Sequence, residues 1–282
     1  MGRKARATLR NKVACPLFLL LAGCGWKSDG LERLELLYPT VVPTIPDAGP
    51  TTDVDLGTPD CSGFDGRWAV RLVQKGTIAP LGPPPWSMTV TDLFLAESTN
   101  QAFTLRFCDQ QVAIDTGSGQ TDLGRSEVPG PLRDALARAP LTVTFPSDAV
   151  WLWGIRNLAN PKTDALPTKD NFTGDARVWD EDGDGKPGVS LKILAPAGEA
   201  SMVRRAAWSF AAPKLTFDNQ WITGALSSQI SESRLEATNA LLLTVAPITP
   251  KSAVYQLRCV GPTFGCASLA AEHPRVFQAA PP

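Results

Sequence analysis

Histidine is almost missing from this chain. There is one in 282 residues, His273, close to the end. A Ser-His-Asp triad needs an imidazole to relay its proton, so that chemistry has little to build on. The HExxH, GxSxG and phosphate-loop patterns are absent as well. No CxxC pair offers zinc a set of thiolates. Paired carboxylates stay open as a route to hydrolysis, because Asp and Glu are plentiful. Long apolar runs are lacking too. The run from Val13 to Ala22 falls well short of the roughly 20 residues that cross a bilayer as a helix, and no later stretch reaches that length.

What is present begins at the N-terminus. Arg3, Lys4, Arg6, Arg10 and Lys12, with no acid among them, precede the short apolar run. Basic residues followed by an apolar run form a secretory signal. The run ends in Leu21-Ala22-Gly23-Cys24. This resembles the lipobox of bacterial lipoproteins. The resemblance implies that residues 1–23 are removed, that Cys24 receives a diacylglycerol thioether, and that its new amine is acylated. Several acyl chains hold a protein on a membrane stably, where one chain holds it only marginally. Gly25 follows the Cys where an Asp marks inner-membrane retention in enteric lipoproteins, so the resemblance points to the outer membrane of a Gram-negative envelope.

Removing the five basic residues of that leader leaves 22 Lys+Arg against 28 Asp+Glu, a formal charge of −6. Such a balance argues against nucleic acid as a partner, since nucleic-acid binding needs basic patches. Four cysteines remain besides Cys24, namely Cys61, Cys108, Cys259 and Cys266. An even count in an exported chain suggests disulfides. Cys259 and Cys266 flank the turn-rich VGPTFG, which suggests a bond between them and a second one from Cys61 to Cys108.

Residues 24–60 read as a tether. Pro39, Pro43, Pro46, Pro50 and Pro59 are spread among Thr, Gly and Asp, a composition that buries little and stays extended. Asp29-x-x-Glu32 resembles a capping box, with Leu31, Leu34 and Leu37 on one face of a short helix. From Cys61 the pattern turns to period two. Trp68, Val70 and Leu72 alternate with Arg67, Ala69 and Arg71. Similar alternation marks Trp86–Thr91, Phe103–Phe107, Leu141–Phe145 and Val189–Ile193, with further candidates at 202–210, 221–228, 239–246 and 253–259. Alternation of this kind marks antiparallel strands with one buried face. Helix is scarce: Pro131 to Arg138 is the clear case, with Pro in its first turn. Residues 61–270 therefore predict one all-β domain, an antiparallel barrel or sandwich of about nine or more strands with one short helix. Residues 271–282 read as a flexible tail.

Three motifs stand out. Asp180, Asp182 and Asp184 alternate along DEDGDGKPG, the first half of an EF-hand loop, where alternate carboxylates converge on calcium. The twelfth position is Leu191 instead of Glu, and a strand follows instead of a helix. The run resembles the DxDxDG loops of thrombospondin type 3 and dockerin-like segments, with Asp170 or Asp175 as candidates to complete the shell. The second motif, Phe64-Asp65-Gly66-Arg67-Trp68, resembles the G-x-W opening of lipocalins, where the Trp closes the barrel floor, and it is echoed at Phe217 to Trp221. The third is aromatic. Trp151 and Trp153 would share a strand face and could offer a platform for ligand, although such residues commonly belong to the core. Taken whole, the lipobox, the tether, the strand Gly66 to Val73 and the DGDGKPGV run resemble the β-rich surface lipoproteins of myxobacteria.

The expectation is a membrane-anchored envelope lipoprotein with a non-enzymatic binding or interaction domain. Its partner would be a small apolar ligand in a barrel lumen, or a glycan or envelope protein on a surface. A hydrolase with paired carboxylates and a purely structural envelope component are the alternatives.

Overall fold

The computed structural model describes residues 54–78, 85–115, 126–194, 197–216, 220–243 and 248–278. The basic leader, Cys24 with its lipobox, and the tether up to residue 53 lie outside the described residues. Eleven strands follow in order: β1 Gly66–Ile78, β2 Trp86–Thr99, β3 Ala102–Asp115, β4 Ser126–Glu127, β5 Leu141–Thr144, β6 Ser147–Trp153, β7 Val189–Leu194, β8 Ala197–Phe210, β9 Lys214–Thr216, β10 Trp221–Ala237 and β11 Thr249–Cys259. Helix α1, Gly130–Arg138, separates β4 from β5, and helix α2, Cys266–Val276, follows β11.

All pairings are antiparallel, in the order β4-β7-β8-β10-β11-β1-β2-β3-β5, with β6 added to β8 and β9 to β10. The chain passes from β5, on β3, directly into β6, on β8, across a cis Phe145–Pro146 bond. The sheet therefore nearly closes on itself as a barrel. Helix α1 packs beside β3 and sends Leu132 and Leu136 into the interior.

The alternation is why these segments become strands. Trp68, Val70 and Leu72 all point into one core, shared with Phe94, Phe103, Phe107, Trp208 and Tyr255. Asn100 and Gln101 both take positive φ between β2 and β3, the geometry of a two-residue turn that matches strand twist. At Cys108 the register of β3 shifts by one residue. This bulge turns Cys108 to the outer face and moves the inward phase from Phe107 to Gln110. Outside, α2 covers Ala69, Leu93 and Leu95 with Leu269, Val276 and Phe277. Both faces of the sheet are buried there, which explains why Leu93-Phe94-Leu95-Ala96 does not alternate.

Several expectations change. The disulfides join Cys61 to Cys259 and Cys108 to Cys266, with Cα atoms 6.1 and 5.0 Å apart, not Cys259 to Cys266 and Cys61 to Cys108. The reason lies in the faces. Cys259 ends β11 opposite Trp68 and belongs to the interior, while Cys266 starts α2 on the outer side, beside the bulge at Cys108. Closeness in sequence hid that separation. The tail is also more ordered than its composition suggested. Residues 266–276 are helical, and Val276 and Phe277 are buried. His273 lies on this helix, with Nδ1 3.4 Å from Gln111 Nε2, and burial lowers its pKa. At the other end, Leu56, assigned to the tether, accepts a hydrogen bond from Gly261 N at 2.7 Å and packs with α2. The candidate strand 239–246 contains a 3-10 turn, Ala240–Leu243. Of the segment that echoes the Trp68 motif only Gln220 and Trp221 lie among the described residues, and the two Trp side chains differ: Trp68 faces the interior and Trp221 faces α2.

Candidate metal centre

Between β6 and β7 the chain makes a long excursion, residues 155–188, with no regular strand of its own. Long ordered loops without secondary structure are uncommon in compact domains and usually carry function. This one is fixed to the outer face of β8 and β10. Ile155, Leu158, Val203 and Leu235 form a small core, and the Arg205 guanidinium donates to the carbonyl of Asp164 at 2.6 Å. Its two ends meet at Gly154 and Gly188, both at positive φ, where any Cβ would run into backbone.

The acidic run closes the excursion. Asp180 shapes it: Oδ1 accepts from the N–H groups of Gly183 and Asp184 at 2.7 and 3.1 Å, and Oδ2 accepts from Gly185 N at 2.8 Å. Gly183 and Gly185 take positive φ, which lets the backbone curl around that carboxylate. Asp182 Oδ2 accepts from Ser190 N on β7 at 2.9 Å. Asp184 Oδ1 accepts from Lys186 N at 2.8 Å, and Oδ2 accepts from the Ser190 hydroxyl at 2.6 Å. Glu181 turns the other way, and its carboxylate accepts from Gly154 N at 2.5 Å. The loop thus holds the end of β6 and the start of β7 together.

Carboxylate oxygens of Asp180, Asp182 and Asp184 all lie within 4.8 Å of one another. Calcium binds oxygen at about 2.4 Å, so two ligands on opposite sides of one ion stand about 4.8 Å apart. The three residues fit one hard cation. Asp182 Oδ1 is buried with no hydrogen-bond partner, an arrangement that costs free energy unless something else satisfies it. Burial pushes the Asp182 carboxyl above its ordinary pKa, and the charge of Asp184 adds to this against the Ser190 N–H. Burial works in the same direction on Asp184. There the Ser190 hydroxyl and the N–H and ammonium of Lys186 outweigh it and hold the carboxyl below its ordinary value. Burial raises Glu181 against the opposing Gly154 N–H.

No family model, curated protein or solved structure matches the chain. The reading of this centre therefore rests on its own geometry.

The structure leaves out some residues that the sequence offered. Asp175 is taken up by Arg177, whose guanidinium donates to it at 2.7 Å, and Asp170 pairs with Lys169. Neither belongs to the cluster. Leu191, at the twelfth position, sits in the barrel core. Trp151 and Trp153 correct the idea of an aromatic platform. They are 6 % and 0 % exposed and pack edge to face inside the barrel, their ring centres 5.0 Å apart. Their strand turns both inward, against Phe107.

Sequence reasoning also missed residues. Ser190 and Lys186 reach the cluster from the residues that follow it, while Glu199 comes beside Lys186 because β7 pairs with β8, which no sequence spacing announces. Inside the barrel, Gln74 and Gln110 donate to the buried Asp92 at 3.0 and 2.5 Å, and Arg204 reaches Gln110 Oε1 at 3.0 Å from the opposite wall. A signal existed for Gln74, Asp92 and Arg204, which stand where the alternation of their strands calls for an apolar side chain, but not for Gln110, which the bulge at Cys108 turns inward.

Proposed function

We propose that this chain is a lipid-anchored envelope protein, held on the outer membrane through Cys24, whose barrel is a non-enzymatic interaction module. In this reading calcium is a structural ion that fastens the 155–188 excursion. The observation that carries it is the convergence of Asp180, Asp182 and Asp184 around the buried, unpartnered Asp182 Oδ1. The loop stands where the excursion enters and leaves the barrel, so a cation there stiffens the excursion as a whole.

The contact surface is assigned to the excursion and not to the lumen, because large aromatic side chains fill the barrel interior where Trp151, Trp153 and Trp208 meet. An open depression of ≈ 520 Å³ lies against the excursion, lined by Phe172, Gly174, Val178, Pro187 and Glu236 among others. Its mixture of ring, backbone and carboxylate suits a glycan or an envelope protein. The affinity expected for calcium is that of extracellular modules, about 10⁻⁴ to 10⁻³ M.

Thermal melting with calcium or with chelator tests the reading. At about ten times Kd, calcium adds ~1.4 kcal/mol, which raises the midpoint by about 2–4 °C for a chain of this size. Asp182→Asn should remove the shift. An unchanged midpoint in millimolar calcium rejects the site.

A further inference from the structure

Across the outer face of the sheet, Ser201 on β8 is flanked by Ser190 on β7 and by Glu236 on β10. Glu236 owes its place to a bulge. The register of β10 against β8 shifts between Arg234 and Glu236. The shift leaves Leu235 to pack under the excursion with Ile155 and Val203, and sets Glu236 directly opposite Ser201. Side chains so opposed share one face, with Cβ atoms about 5 Å apart.

The Ser190 hydroxyl is spent on Asp184. Its two neighbours are not spent. Ser201 is 2 % exposed, yet its hydroxyl has no hydrogen-bond partner. The exposed Glu236 carboxylate makes no hydrogen bond or ion pair among the described residues. A buried hydroxyl left unpaired costs free energy that a ligand atom would recover. Both residues line a cavity of ≈ 120 Å³ with Lys186, Glu199, Ala237 and Thr238. The charged ends of Lys186 and Glu199 are paired with each other, and Thr238 Oγ1 accepts from Glu199 N at 3.0 Å. The rest of the wall is mainly apolar. This cavity adjoins the larger depression: Glu236 lines both, and Lys186 of one precedes Pro187 of the other.

These groups set conditions on a ligand. The cavity is small, so what enters it ends there, as a side branch and not a continuing chain. Its walls call for an apolar tip. The Ser201 hydroxyl calls for an acceptor and the Glu236 carboxylate for a donor. A secondary amide ending in a methyl group meets all three: its carbonyl accepts from Ser201, its N–H donates to Glu236, and its methyl fills the apolar space. A peptide bond in mid-chain fails, because the chain continues on both sides of it. On an amino sugar the acetamido group is a terminal branch, and the ring that bears it has the depression and half-buried Phe172 to rest against. We infer that the cavity between Ser201 and Glu236 is an acetamido pocket, and that the depression beside it takes a glycan of N-acetylated amino sugars. The inference rests on the glycan reading of the depression and adds the class of sugar.

Calorimetric titration of the full chain in millimolar calcium tests this. The probes are the N-acetylglucosamine tetramer and the glucose tetramer of the same linkage, which is also neutral and carries hydroxyls in place of the acetamido groups. The glucose tetramer should bind about tenfold more weakly. Ser201→Ala should weaken binding of the N-acetylated tetramer about tenfold and leave the glucose tetramer unchanged. Glu236→Gln should weaken the N-acetylated tetramer several-fold. Neither side chain has a partner within the protein, so both variants should keep the melting midpoint of the unmodified chain. Equal affinity for the two tetramers, or binding of the N-acetylated tetramer that Ser201→Ala leaves within twofold, overturns the acetamido pocket and spares the glycan reading. Binding of neither tetramer by the unmodified chain overturns both.

Discussion

Asp92 is fully buried in the barrel interior, with an amide hydrogen on each oxygen and the Arg204 guanidinium close by through Gln110. Arg204 also stacks over Trp153 at 4.6 Å and lies 3.6 Å from Glu232. Together with Ser228, which donates to Gln74, these residues join β1, β2 and β3 to β8 and β10. Removing one member leaves the others buried without partners. Asp92→Ala should lower the unfolding free energy by about 3–5 kcal/mol, measured by urea denaturation. Burial raises the Asp92 pKa, against the pull of Arg204 and the two amides. A raised folded value means that the group adds stability below its unfolded pKa of about 4, and loses that contribution as pH rises through the folded value. Asp92→Asn mimics the neutral form at every pH. The stability advantage of the unmodified chain over Asp92→Asn should therefore shrink as pH rises above about 4, and a constant gap would contradict the assignment.

Among the elements, the strands were largely legible in the sequence and their partners were not. Period-two alternation marked β1, β2, β3, β5, β7, β8, β10 and β11 because each has one apolar face toward the barrel. It faded at Leu93 to Ala96, where α2 buries the second face, and it misled at 239–246, where Ala240–Leu243 form a 3-10 turn. The Asp180–Asp184 cluster was legible because its residues are consecutive and the loop is local. Ser201 and Glu199 were not, because they come near the loop only through the β7–β8 register. Helix α2 is the clearest case of an element the sequence undersold. It is short and contains Pro274, but Leu269, Val276 and Phe277 cover the outer sheet and Cys266 fixes its first turn to β3. Replacing Cys108 and Cys266 together by Ser should cost about 2–5 kcal/mol. Amide exchange in 266–278 should accelerate more than in β1 or β2. Equal acceleration throughout the barrel would show that the bond supports the whole sheet and not this helix.

At the scale of the molecule, the barrel and the proposed anchor answer different questions. The sheet order and the polar layer concern how the domain holds its shape, while Cys24 concerns where it works. Metabolic labelling with palmitate should mark the chain, and Cys24→Ala should abolish the label and release the protein from the membrane fraction. A labelled Cys24→Ala variant would locate acylation elsewhere. The proposed calcium site connects the two questions, since extracytoplasmic calcium is the supply that a weak site of this kind would require.

The two disulfides have one more consequence. In chain order the four cysteines among the described residues pair first with third and second with fourth, so the loops they close overlap. A chain that emerges from its N-terminus presents Cys61 and Cys108 long before either native partner arrives. Neither correct bond can form until residue 259 has appeared, close to the end of the chain. An oxidant that joins cysteines in order of appearance would first make Cys61–Cys108 and leave Cys259–Cys266, the two bonds the folded protein does not contain. The barrel seals itself only on completion, and its compartment has to keep those early thiols reduced or be able to exchange their bonds.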